Sequence, residues 1–485
     1  MIELVTIEEH SSTLVEWKRR GVSSRTVVYL DAHLDMQHIE DHKIRRLAAA
    51  PDIESFLSLE RPIFLDESPR YCYSLENYLY AAVRLGMINR IVWVYPFEDF
   101  LPANRILSYV GSFMGPDRAK PYQERRRDVT LLGVAAGDFD LLVCPLGCLD
   151  QVEKDAKFLL DIDLDYFVDV SEARILFNPL AVLTAIRAAG ESAAFATLSL
   201  SITSGFLPRV YLFLADYLRE LLDRPELEAI EFYELLIAAD ERKADRDFEK
   251  ALDLCRAAQR LRREAAAPHA LVGEILKLGG DSGRAAESYR LAQSMDPRFF
   301  DSDVERAYSL LNRRIGFDGD EIDALRGKLT RQPANHDVSF THLTLGLLYL
   351  RLGDLDSAVA EYEQCVSAGR EFPRLSGGIG ALYAKRKDRQ NAHRFLSQAI
   401  DFEPPTYRKA GFLHHRGLMN FDSSRFEEAK QDLLEAVAVN PALDESWRYL
   451  ALSYRKLNQR ENYRYASQQY TLVKSQGNAT EARLP

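Results

Sequence analysis

Asp31, His33 and Asp35 stand on alternate positions directly behind four apolar residues, Val27-Val28-Tyr29-Leu30. A short apolar run of this kind reads as a buried strand. Charged residues seldom end such a strand without partners. In an extended chain the two-residue period puts all three side chains on one side, and Ala32 between the first two leaves room for close approach. Far along the chain, Phe158-Leu159-Leu160 runs in the same manner into Asp161, Asp163 and Asp165. In an open parallel α/β sheet, carboxyl ends of separate strands converge on one crevice. Five carboxylates gathered there would repel and would not all ionise. Divalent cations resolve that repulsion, and an oxygen-rich set with one or two imidazoles suits Mn²⁺ or Mg²⁺ better than Zn²⁺.

Asp31-Ala32-His33-Leu34-Asp35, taken with Asp161-Ile162-Asp163 and with the His-Ser pair in Glu9-His10-Ser11-Ser12-Thr13, resembles the arginase/ureohydrolase superfamily over residues 1–235. The run Asp161-Ile162-Asp163-Leu164-Asp165-Tyr166-Phe167 is closer to a divergent branch of it, which includes peptide arginases of ribosomal natural-product pathways. The resemblance implies two Mn²⁺ ions held by His10, Asp31, His33, Asp35, Asp161 and Asp163. It implies a hydroxide shared between them, oriented by Asp35 as ligand and hydrogen-bond acceptor, and hydrolysis of a guanidine to urea and an amine. The family also holds the guanidinium with a Glu at a later strand end. In register that place is Ser201-Ile202-Thr203-Ser204-Gly205, which has no carboxylate. Asp165, Glu40 and Glu76 are the candidate substitutes, with Ser204 as a further substrate contact; each acid could equally be an exposed or capping one. His38, with His42 near it, is a candidate proton shuttle, or a solvated loop histidine.

These residues need elements to hold them. Ser74–Gly86 reads as a helix capped by Ser74 and ended by Gly86. Arg90–Pro96 and Leu141–Pro145 read as strands, followed by the Asp161 strand, a helix over Pro179–Ala189, a strand over Ala194–Ile202 and a helix over Val210–Leu222. Strands alternating with helices imply a doubly wound, parallel α/β sheet. Arg125-Arg126-Arg127 lies among Gly and Pro breakers and reads as a solvated loop or an active-site lid.

Strand-like runs vanish after about residue 240, and a period appears. Gly346, Tyr349, Ala358, Tyr362 and Cys365 are matched 34 residues on by Gly380, Tyr383, Ala392, Leu396 and Ala399. Gly417, Ala429, Leu433 and Ala436 repeat the pattern, Trp447, Leu450, Ala451 and Tyr454 open another unit, and Gly273, Ala285, Tyr289 and Ala292 form an earlier one. Residues 300–340 fit poorly. Small residues let two helices pack closely while large ones fill the gaps, a pattern that resembles the tetratricopeptide repeat. Stacked repeats of that kind form a curved array with a concave groove suited to an extended peptide; support of dimerisation is the plainer alternative.

The 485 residues carry a formal charge of −11, with 47% hydrophobic and 28% charged residues. This is the composition of a soluble globular chain, and the charge argues against a nucleic-acid partner. Five scattered cysteines fit a reducing cytoplasm. Cys144-x-x-x-Cys148 has no matching half for a zinc site. No signal peptide or membrane helix is read. The expected organisation is an arginase-like domain over 1–238, helical repeats over 239–475 and a tail over 476–485. The expected function is a manganese-dependent conversion of arginine in a peptide to ornithine, with the repeats holding the peptide. The alternatives are another metal-dependent C–N hydrolase or deacylase on the same fold, or a scaffold with a vestigial site.

Overall fold

The computed structural model describes residues 2–61, 70–96, 120–126, 129–136, 139–152, 157–188, 193–202, 204, 206–223, 227–299, 319–329, 338–367, 373–403 and 407–481. Strands β1 (Leu4–Ile7), β2 (Arg25–Leu30), β3 (Ile88–Val94), β4 (Lys120–Arg126), β5 (Val129–Ala136), β6 (Phe139–Cys144), β7 (Leu159–Asp163) and β10 (Ala196–Ser199) form one eight-stranded sheet in the order β1-β10-β7-β2-β3-β6-β5-β4. Two short strands, β8 (Val168–Asp169) and β9 (Arg174–Ile175), form a separate ribbon. Neighbours from β1 to β6 run parallel, whereas β5 pairs antiparallel with β6 and β4 antiparallel with β5. The sheet is therefore mixed rather than wholly parallel. The difference lies at the β4 edge, where Arg125 and Arg126 are strand residues paired to Thr130 and Val129. These two arginines are part of neither a loop nor a lid; Arg127 lies outside the described residues.

The parallel strands are apolar on both faces because both faces are covered. On β2, Val28 and Leu30 pack with Val92, Leu160 and Ile162 on one side. Val27 and Tyr29 alternate to the other, with Ile91, Trp93 and Leu159. Helices α1 (Ser12–Arg19), α2 (Asp41–Ala49), α3 (Ile53–Leu57) and α4 (Tyr78–Arg84) cover the Tyr29 face. Helix α4 is shorter than the sequence suggests: its cap is Asn77, whose side-chain oxygen accepts the Ser74 N–H, and Gly86 ends the turn at φ 70°.

Helices Pro179–Ala188 and Phe213–Leu222 cover the Val28 face. The apolar cluster on that side continues through Phe232, Leu236, Cys255, Leu271 and Ile275 into Phe299. The boundary expected at residue 238 thus falls inside helix Leu227–Ala244, and the first helical pairs share the core of the sheet. Later helices pack as consecutive hairpins: Val338–Leu352 with Leu355–Ser367, Pro373–Lys385 with Arg389–Phe402, Tyr407–Asp422 with Phe426–Val439, and Asp444–Lys456 with Arg460–Glu481. The repeat register is the one read from the sequence. A Cβ on Gly273, Gly346, Gly380 or Gly417 would meet Tyr289, Tyr362, Leu396 or Leu433 respectively. Much of the poorly fitting 300–340 stretch lies outside the described residues, apart from helix Gly319–Leu329 and the start of the next. Among the described residues no helix is long and apolar enough to cross a membrane.

Candidate metal centre

The chain order reverses beside β2: β3 and β6 extend the sheet one way, and β7 and β10 extend it the other. Ligands collect at the carboxyl ends of strands flanking such a switch point. His10 follows β1, Asp31 follows β2, Asp163 ends β7, and Ser199 ends β10. The sequence alternation suggested that Asp31, His33 and Asp35 extend the strand. The structure ends β2 at Leu30 instead, because the Asp31 carboxylate accepts the His33 N–H at 2.6 Å and turns the chain. Trp93 Nε1 donates to the Asp31 carbonyl at 3.0 Å, and the Leu79 N–H to the Asp35 carbonyl at 3.2 Å. The loop is therefore pinned to β3 and α4.

His10 Nδ1 lies 3.0 Å from Asp31 Oδ2, 3.1 Å from Asp163 Oδ2 and 3.5 Å from Asp35 Oδ2. His33 Nδ1 lies 3.0 Å from Asp165 Oδ2 and 3.6 Å from Asp31 Oδ1. Among the described residues, two groups have ligand atoms close enough to share a cation: His10 with Asp31 and Asp163, and Asp31 with His33 and Asp165. Asp31 belongs to both, one oxygen towards each, as a carboxylate bridging two cations would.

Asp161 is placed differently from its expected role as a ligand. It is fully buried one layer deeper and accepts hydrogen bonds from Thr197 Oγ1 and, at 2.8 Å, from the Tyr78 hydroxyl. Its Oδ2 lies 3.3 Å from His10 Nε2, while the Tyr78 oxygen lies 2.8 Å from the same nitrogen. A strand residue two positions back from Asp163 points to the same face but sits deeper in the sheet. Asp161 therefore supports the outer ring nitrogen of His10, an arrangement that orients a metal-binding imidazole. Asp165, expected to meet substrate, lies instead beside Asp31 and His33, with its carboxylate placed where a ligand could be.

With Nε2–H directed at Tyr78 and Asp161, His10 Nδ1 presents a lone pair. That atom is buried and makes no hydrogen bond, although three carboxylates surround it. Lone pair facing carboxylate is repulsive unless a proton or a cation lies between. Burial disfavours a charged His10, but Asp161, Asp163 and Asp31 outweigh it and hold its pKa well above the ordinary value. Burial pushes Asp35 up to about 7 and Asp165 up to about 8, with neighbouring carboxylates adding to both. Burial would also raise Asp31, but the His10 and His33 imidazoles beside it hold it below the carboxylate range. Protons thus fill a site whose donor set, four carboxylates and two imidazoles, fits two hard divalent cations.

The centre opens into a cleft of about 150 Å³. Glu76 and Ser204 line it as expected, together with Asp35 and Asp165. His38 and Glu40 do not. His38 packs against the Tyr80 ring at 5.5 Å, and exposed Glu40 precedes α2 with His42 at 3.4 Å. Several cleft and support residues were missed from sequence. Glu9 lines the cleft, accepts the Ser204 N–H at 2.7 Å, and is pushed up to about 8 by burial. Ser201 donates to Asp163 Oδ2 at 2.6 Å from a backbone at φ 50°, a conformation that costs about 1 kcal/mol or more. Tyr29 donates to Asp31 and lies 3.3 Å from Asp35. Only Tyr29 carried a readable signal, since it stands two positions before Asp31 on the same strand face.

A tetratricopeptide repeat model matches residues 341–369. BBSome complex member BBS4 of Bos taurus is 26% identical over 221 residues, covering 46% of this chain and 41% of that protein. The chain thus spans less than half the length of this curated relative. Among solved structures, YrrB, described as a TPR protein with an unusual peptide-binding site, covers 47% of this chain and 97% of its own at 13% identity and a TM-score of 0.26. MamA covers 43% and 97% at 14% identity and a TM-score of 0.27. The paired helices, their glycine-to-large-residue register and the repeat model agree: the C-terminal part of this chain is an all-helical array of tetratricopeptide type.

Proposed function

We propose that this chain is a hydrolase that uses two divalent cations, manganese by the resemblance to ureohydrolases, to convert an arginine side chain within a peptide to ornithine and urea. The observation carrying this reading is the convergence of His10, Asp31, His33, Asp35, Asp163 and Asp165 around an unshared His10 Nδ1. When bound, such a pair of cations lowers the pKa of a water to near neutrality and polarises the reacting carbon. Asp35 faces the cleft, where its carboxylate is the acceptor that would align the attacking water. Water adds to the guanidinium carbon, the bond to Nε breaks, Nε takes a proton, and urea leaves. Ser201 and Tyr29 keep Asp163 and Asp31 in place through this change in charge.

The helical array would hold the rest of the peptide, since stacked repeats present an extended concave surface. Binding energy from such remote contacts can position a reacting side chain. A second reading, a protein-interaction scaffold, is favoured by the repeat match and by the curated relative being a complex member.

Incubation of the full chain and Mn²⁺ with a panel of arginine peptides, read by mass spectrometry, tests the proposal. The expected product is lighter by about 42 Da, the mass arithmetic of exchanging a guanidine for an amine by hydrolysis, with urea in equal amount. Bound metal without urea points to another C–N hydrolase. A folded chain that takes up no metal points to the scaffold.

A further inference from the structure

We infer that Glu9 is the carboxylate that holds the cationic group of the substrate, an assignment that rests on the hydrolase reading above. Among the described residues, two carboxylates remain on the cleft wall once the six proposed ligand residues are set aside, Glu9 and Glu76. Glu76 already faces a cation, the buried Arg61 guanidinium, at 3.4 Å. Glu9 does not: its hydrogen-bond partner is the neutral Ser204 N–H, and no Lys or Arg pairs with it among the described residues. A half-buried carboxylate with only a neutral partner is costly until a cation joins it. The Ser204 bond engages Oε1 and leaves Oε2 to accept from a ligand.

The position of Glu9 explains why residues 201–205 need no acid of their own. The exits of β1 and β10 are zipped together by the Leu200 N–H to the Ile7 carbonyl at 3.0 Å and the Ser201 N–H to the Glu8 carbonyl at 2.9 Å. Across that seam Glu9 reaches Ser204, so the neighbouring strand end delivers the carboxylate. Glu9 is also the residue before His10, and the shared backbone fixes its distance from the reacting centre. Leu75 and Phe206 line the same cleft, Phe206 with its ring 5.3 Å from that of His33, and they suit the methylene stem of a long side chain. An acid above an apolar wall selects a planar cation at the end of an aliphatic chain. A guanidinium satisfies it, with N–H pairs matched to a carboxylate, whereas a neutral isostere leaves the acid unpaired.

The test is calorimetric titration of the full, Mn²⁺-loaded chain. The probe is the Nα-acetyl amide of an arginine isostere in which a methylene replaces Nε. This amidine is planar and cationic and has no leaving amine at that position. The control is the matching neutral carboxamide. The wild type should prefer the amidine, and E9Q, which keeps an acceptor for the Ser204 N–H, should weaken amidine binding by about tenfold or more with little change for the carboxamide. E9D, which draws the charge back by one methylene, should fall between and serves where E9Q does not fold. Amidine binding unchanged in E9Q or E9D, a preference lost in E76Q and kept in E9Q, or a wild type without preference overturns the assignment. Metal counted in the same samples separates the two claims. A wild type without Mn²⁺ sinks the hydrolase reading, while retained metal with an unchanged preference in E9Q sinks the Glu9 assignment alone.

Discussion

Asp163 and Asp161 lie on one strand and one face, yet the structure gives them different neighbours. Asp163→Asn removes a carboxylate that faces His10 Nδ1 directly. It should abolish metal retention at that position and lower turnover by roughly 100-fold or more, since dinuclear chemistry needs both ions. Asp161→Asn alters only the support behind His10 Nε2. It should keep the metal count while weakening affinity by roughly 10–100-fold, as changes in outer-shell partners do. Metal content after gel filtration and kcat on one peptide distinguish the two; equal metal loss in both would return Asp161 to the ligand set. Protons would compete with bound cations for the same atoms. Burial and neighbouring carboxylates hold Asp35 and Asp165 of the metal-free chain well above the ordinary 3.8, up to about 7 and about 8. Their contribution to stability is complete below pH 4 and is lost as pH rises towards 8. His10 and His33, also raised, act in the same direction. The Tm of the metal-free chain should therefore fall between pH 5 and 8, and Mn²⁺ affinity should rise by roughly tenfold or more from pH 6 to 8, because uptake releases protons. A flat Tm and flat affinity would contradict the proton-filled site.

At the scale of elements, the repeats give the clearest test. A Cβ on Gly380 would lie 2.8 Å from the Leu396 backbone nitrogen and 2.7 Å from its Cγ. On Gly346 it would lie 3.1 Å from the Tyr362 ring, a group that can shift. Gly380→Ala should cost about 1–3 kcal/mol, the range for overpacking a close contact, and Gly346→Ala clearly less, as read by thermal unfolding. The same pairs show why the array was legible: each glycine and its large partner belong to one local hairpin, so the spacing survives in the sequence. The parallel strands were legible for a similar reason, since Val27–Leu30 and Leu159–Ile162 are buried on both faces. The site was readable only in part. His10, Asp31, His33, Asp35 and Asp163 converge as their types suggested. The different placement of Asp161 and Asp165 depends on the depth at which β7 enters the sheet, and period 2 carries no depth. Glu9 and Ser201 meet the site through contacts across the β1–β10 seam, which no local pattern records. The antiparallel β4–β5 edge was hidden because breakers around Arg125 resemble loop chemistry.

At the scale of the whole molecule, the first helical hairpins share the apolar core of the sheet. Arg298 pairs with Asp216 at 2.9 Å, Arg262 pairs with Glu220 at 2.8 Å, and Phe299 closes the apolar cluster. A chain ending near residue 235 would cut helix Leu227–Ala244 and expose that cluster, so it should be insoluble. A chain ending after residue 299 should remain folded and bind Mn²⁺. It should lose kcat/KM on a long peptide and keep it on a short one; equal values on the long peptide would show that the later repeats do not hold substrate. The central claim is a hydrolase built on two cations, and the most direct measurement counts them. Purified full chain is stripped with chelator, titrated with Mn²⁺ at pH 8, and analysed for retained metal. Two equivalents per chain, falling to one or none in Asp163→Asn, is the expected result. A folded wild-type chain that retains no Mn²⁺ under these conditions would contradict the account.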